Sequence, residues 1–132
     1  MKMHSPLLST ILLTATFAIA TSSCGGAQDT GLDTATGQVT AGGATGSACP
    51  TGSTLTYANF GEAFIVTNCL SCHGSRQNPI LSTQTAIQTA SAEIDRMAAA
   101  GPDATNTAMP PSGGVSTTDR LKLGEWLACG AP

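Results

Sequence analysis

Aromatic residues are scarce in this chain: three Phe, one Tyr and one Trp make up 4% of its 132 residues. Charge is thin too, at 10% of the residues, with a formal net charge of −3 and a pI near 5.0. A nucleic-acid binder shows a clustered basic face, and five Lys and Arg in all do not make one. Histidine occurs twice, at His4 and His73. That leaves little room for a hydrolase built on an acid–base–nucleophile relay. No stretch alternates apolar and polar residues in the manner of a half-buried strand. The apolar run from Leu7 to Ala20 falls short of the roughly 20 residues of a comfortable membrane span. What is abundant is Gly (15), Pro (7) and small hydrophobic residues. That mixture suits one small compact domain diluted by unstructured sequence.

The front end reads as an address. A short basic start followed by the apolar run is the pattern of a secretory signal. It has two possible endings. Thr21-Ser22-Ser23-Cys24 resembles a bacterial lipoprotein cleavage site, at which Cys24 takes acyl chains and becomes the new N-terminus, although Thr21 stands where Leu is usual. Ala18-Ile19-Ala20 instead fits an ordinary signal peptidase and leaves Cys24 unused. Residues 25–48 hold almost no large apolar side chain, so this stretch cannot bury enough surface to offset its ordering entropy. A flexible segment of about 24 residues holds its ends roughly 25–30 Å apart. Such a segment suits a tether between a lipid anchor and a domain, which favours the lipoprotein ending. The expected organisation is a signal at 1–23, a tether at 24–48 and a folded domain at 49–132. The expected location is the periplasm, anchored to a membrane through Cys24. Gly25 is not the Asp of inner-membrane retention, so the outer membrane is preferred by analogy.

Within the domain three helical patterns are readable. The first starts at Asn59, which with Glu62 forms a capping-box pattern, and carries Phe60, Phe64 and Ile65 on its apolar face. The second lies between Thr83 and Ala100, with Ile87, Ala90, Ile94 and Met97 or Ala98 at helical spacing and Gly101-Pro102 as its stop. Ser91 is a possible internal cap, so one helix or two remains open. The third follows Ser116, has Asp119 at the matching capping position, carries Leu121, Leu123, Trp126 and Leu127, and ends at Gly130. The expectation is an all-α fold of three to four helices. A core this thin is marginal without a staple, and a large flat apolar cofactor would complete it.

Cys69-Leu70-Ser71-Cys72-His73 is a Cys-x-x-Cys-His run, the attachment signature of c-type haem. Two thiols add across the haem vinyl groups, and the adjacent imidazole coordinates iron, so one turn of chain must deliver all three. Zinc would want four ligands, and the other cysteines are distant in sequence. A redox dithiol would prefer a βαβ setting that the pattern lacks. The second axial ligand follows by elimination. His4 leaves with the signal, which excludes bis-His ligation within the mature chain. Met97 falls at core spacing on a helix and reads as packing. Met109 lies in the loop Ala108-Met109-Pro110-Pro111, where prolines fix the backbone, and is the expected thioether ligand.

With these residues assembled, the domain resembles the class I cytochromes c. Gly61 and Phe64 ahead of Cys69 match that family's first helix, the Met109-Pro110 pair its Met loop, and Trp126 with Leu123 and Leu127 its last helix. Gly61 would let the two helices approach closely. Pro79 resembles the family proline whose carbonyl accepts the His Nδ1 proton. The likeness covers about residues 55–130 and departs from the family in the short segment between His73 and Met109. It implies a small cytochrome c fold wrapped around one covalent haem c. His/Met ligation implies a comparatively high potential and a closed iron, hence single-electron transfer with redox protein partners rather than catalysis. A haem enzyme or a gas or redox sensor, with an exchangeable sixth position, is the alternative. Arg76 is a candidate partner for a haem propionate or an ordinary solvated residue. Thr105, Asn106 and Thr107 are weaker candidates for bonds to the propionates or to the Met109 sulfur. Cys49 and Cys129 stand at the two ends of the domain. They form either a bridge, worth roughly 4 kcal/mol in the chain-entropy model, or two buried thiols.

Overall fold

The computed structural model describes residues 44–132; the expected signal, Cys24 and most of the tether lie outside the described residues. The described part is all-helical. A π-helical turn, Tyr57–Gly61, leads into α1, Glu62–Asn68, and then come α2, Leu70–His73, and α3, Gln84–Thr89. α4, Ser91–Ala98, and α5, Thr117–Ala128, complete the order.

The first helical stretch begins earlier than its sequence pattern predicts. Thr56, not Asn59, is the cap: its side chain accepts from Asn59 N at 3.2 Å, and Asn59 Oδ1 accepts from Thr56 N at 2.7 Å. Asn59 is therefore the third residue of the capping box rather than its first. The second pattern is two helices, broken at Ala90. Thr89 Oγ1 donates back to Thr85 O at 2.9 Å, and bonding of this kind loosens and bends a helix. Ser91 is the first residue of α4 and does not cap it. α5 starts as expected, with Ser116 Oγ accepting from Asp119 N at 3.1 Å.

One apolar cluster holds the helices together. Phe64, Ile65, Leu81, Ile87, Ile94, Ala98, Leu123, Trp126 and Leu127 are buried in it. Ala98 and Ile94 supply the inward face of α4, whereas Met97, read from spacing as a packing residue, is half-buried and outside the cluster. Trp126 is fully enclosed. Phe60 meets it edge-on at 6.0 Å between ring centroids and lies tilted against Phe64 at 5.5 Å. Gly61 is buried under this indole: a Cβ placed there would come within 2.8 Å of Trp126 Cε2 and nearer still to two other ring carbons. The contact expected between the first and last helices is thus made, and only glycine permits it.

Packing also reaches upstream of Cys49. Thr45 is buried; its N–H donates to Asp95 Oδ2 at 2.8 Å and its hydroxyl to Asp95 Oδ1 at 2.6 Å. Ser47 Oγ donates to Ala100 O at 3.2 Å. These small polar residues bury little area and are ordered by hydrogen bonds instead, which a composition-based tether ending at residue 48 overlooks. Asp95→Ala strands the buried Thr45 N–H. It is expected to lower the unfolding free energy by about 1–3 kcal/mol, read as a drop in urea midpoint at constant m-value.

Candidate haem-attachment site

The Cys-x-x-Cys-His run folds as one tight turn. Cys69 O accepts from both Cys72 N at 3.1 Å and His73 N at 2.8 Å, and Gly74 N closes the turn on Leu70 O at 3.1 Å. The following chain then returns to His73. Leu81 N donates to His73 O at 2.8 Å, and His73 Nδ1 lies 3.0 Å from Pro79 O. A carbonyl only accepts, so Nδ1 carries a proton, and in the neutral ring the lone pair is then on Nε2. An imidazole held in this tautomer is ready to ligate through Nε2.

Cys69, Leu70 and Met109 all pack against the apolar cluster to which Phe64, Ile65 and Leu81 belong. The loop carrying Met109 is tied at both of its backbone polar groups. Its N–H donates to Met97 O at 2.8 Å, and its carbonyl accepts from Arg120 Nη1 at 2.8 Å. Asn106 is buried, and its Nδ2 donates to Asp95 O at 2.8 Å. One donor of its amide thus goes to the backbone at the end of α4. Arg76, Thr105 and Thr107 are exposed.

The cysteines fall into two groups. Cys49 and Cys129 form a disulfide with their Cα atoms 4.7 Å apart, which resolves the alternative of two buried thiols. Cys72 is disulfide-bonded as well, and Cys69 is the free thiol among the described residues. Burial pushes the Cys69 thiol up to about 11. Redox-active cysteines are tuned the other way, toward thiolate at neutral pH. Folded protein without haem should therefore react with iodoacetamide at Cys69 far more slowly at pH 8 than the urea-unfolded chain does. The raised value also sets a sign. In the unfolded chain the thiol ionises near 9 and in the fold near 11, so its contribution is intact below pH 9 and is lost as pH rises toward 11.

Arg120 is a site residue that sequence reasoning missed. It is buried, and Nη1 donates to Ala98 O at 2.6 Å, Asn106 O at 2.8 Å and Met109 O at 2.8 Å. Burial lowers its pKa. One physical signal was available: a cation in the first turn of a helix opposes the helix dipole, so its presence there asks for another use. The residues fit a c-type haem by the chemistry of their donors once Cys72 is reduced: two cysteine sulfurs and an imidazole on one turn, and a thioether against the apolar cluster. Among the described residues no three His, Cys, Asp or Glu side chains gather as a metal cage, whereas haem iron asks the protein for two side chains. No protein-family model matches the chain, and neither a curated protein nor a solved structure matches it.

Proposed function

We propose that the chain is an exported monohaem c-type cytochrome, similar to class I cytochromes c, that passes single electrons to and from redox protein partners. The observation that carries this reading is the Cys69–His73 turn with its imidazole tied through Nδ1 to Pro79 O at 3.0 Å. Cys69 and Cys72 would hold haem c as thioethers, and His73 and Met109 would ligate its iron. The haem would supply a reversible one-electron couple. The protein's part would be to fix the imidazole tautomer, to offer the group apolar side chains, and to hold the Met109 thioether in place. Export matches the disulfide chemistry, since bridges such as Cys49–Cys129 persist in oxidising compartments. Lipid anchoring at Cys24, facing the periplasm from the outer membrane, completes the reading.

A second reading has an observation of its own. Cys72 in a disulfide and a thioether at Cys72 exclude one another, so a haem-free exported module held by disulfides is the competitor. The test is the mature protein expressed with haem-attachment machinery, measured by intact mass and as its pyridine haemochrome. A covalent haem mass, a c-type haemochrome and a weak far-red charge-transfer band that disappears in Met109→Ala but survives in Met97→Ala are expected. A colourless protein that keeps Cys72 in a disulfide would establish the competitor. Covalent haem without that band, together with ready CO binding, would move the function to a haem enzyme or sensor.

A further inference from the structure

The Met109 carbonyl is held by a group far along the chain whose own position is overdetermined. Arg120 lies in the first turn of α5, and one nitrogen, Nη1, donates to carbonyls at three points: the last residue of α4, Ala98; the chain ahead of the Met loop, Asn106; and Met109 itself. No carboxylate among the described residues lies within ion-pair distance of it. A buried guanidinium served by carbonyls alone is costly unless those bonds are kept, so the three carbonyls are held together as a unit. The neighbouring backbone repeats the pattern. Arg120 O accepts from Ala100 N at 2.9 Å, Asn106 N donates to Ala99 O at 2.8 Å, and Met109 N to Met97 O at 2.8 Å. Four of these bonds tie the loop to the end of α4 and the start of α5.

We propose that Arg120 is a positioning residue for the Met109 thioether, acting through the Met109 carbonyl to set how firmly the sixth ligand stays in place. The inference rests on the haem reading above and adds what governs exchange at that position. With the guanidinium in place, an outside ligand must displace a thioether whose loop is anchored at both its N–H and its carbonyl. Without it, the carbonyls of Ala98, Asn106 and Met109 lose their common donor, and the loop is free to lift.

The test uses the haem-loaded mature protein as wild type, Arg120→Gln and Arg120→Lys, with Thr56→Ala as a variant that removes a helix cap outside the apolar cluster. Imidazole binding to the ferric form and the pH at which the far-red band disappears are measured beside urea stability. Arg120→Gln should bind imidazole at least roughly tenfold more tightly, the scale of one lost charge-assisted hydrogen bond, and should lose its band at lower pH. Arg120→Lys, which keeps the charge and some donors, should fall between. Thr56→Ala should lose stability and leave both readouts where they were. Wild-type values in a folded Arg120→Gln, or equal changes in Thr56→Ala, overturn the proposal and leave the haem reading standing. If neither Arg120 variant folds with haem attached, the residue determines the fold and the proposal falls. A wild-type protein lacking haem or the band removes the haem reading and the proposal together.

Discussion

Replacing Cys49 and Cys129 together by serine is expected to lower the unfolding free energy by about 4–5 kcal/mol, the chain-entropy value for a loop of this size. The bridge spans 80 positions and encloses every helix of the described fold, so its loss restores nearly the whole unfolded ensemble's freedom. Domains of this size hold about 5–15 kcal/mol in total, and a core with one Trp and two Phe gives little reason to expect the upper end. The haem-free form should therefore be largely unfolded without the bridge, or close to it. Cys49 is exposed, so a mild reductant should reproduce the effect on the wild type. Urea melts with and without reductant, on wild type and double variant, measure it. Overlapping curves would mean that the reduced chain keeps its ends together by other contacts, with the Thr45–Asp95 bonds the first to examine.

The second large effect centres on Trp126. Trp126→Ala removes a fully buried indole and should cost about 3–5 kcal/mol. The instructive partner is Gly61→Ala, which adds one methyl where the ring already stands. Overpacking of this kind costs about 1–3 kcal/mol. The two changes should not add: in the double variant the new methyl enters space that the indole has vacated. A cycle of the two singles and the double should return a coupling of at least about 1 kcal/mol in favour of the double. Additive losses would mean that Gly61 matters for its backbone and not for the closeness of the indole.

The contrast between these residues and Arg120 shows what a linear chain discloses. Phe64, Leu123, Trp126 and Leu127 were legible because burial imposes helical spacing, and spacing survives in sequence, whereas Gly61 came only with the resemblance. Cys69, Cys72 and His73 stood out because their order makes a short fixed motif, and the structure does put them on one turn. Pro79 was named only by resemblance, and its carbonyl does lie on His73 Nδ1. Thr45 and Asp95 were not legible: they sit 50 positions apart, and a hydrogen bond between distant polar side chains leaves no period behind. Arg120 was hidden for a similar reason. Its partners are backbone carbonyls, which every residue has, so nothing in the identities of Ala98, Asn106 or Met109 marks them. The split of the second helix at Ala90 was left open by the sequence, with Ser91 as a possible cap, and the structure has two helices there without that cap.

The Cys49–Cys129 bridge also decides how the domain bears load. A pull applied upstream of Cys49 and downstream of Cys129 runs through one sulfur–sulfur bond and bypasses all five helices. The 80 positions between them, roughly 260–290 Å of extended chain, are withheld from any such stretch. A machine that draws polypeptide through a narrow pore would have to accept two strands at once or stop at the crosslink. Oxidised, the domain yields to tension as a knot does; reduced, it pays out like a cord.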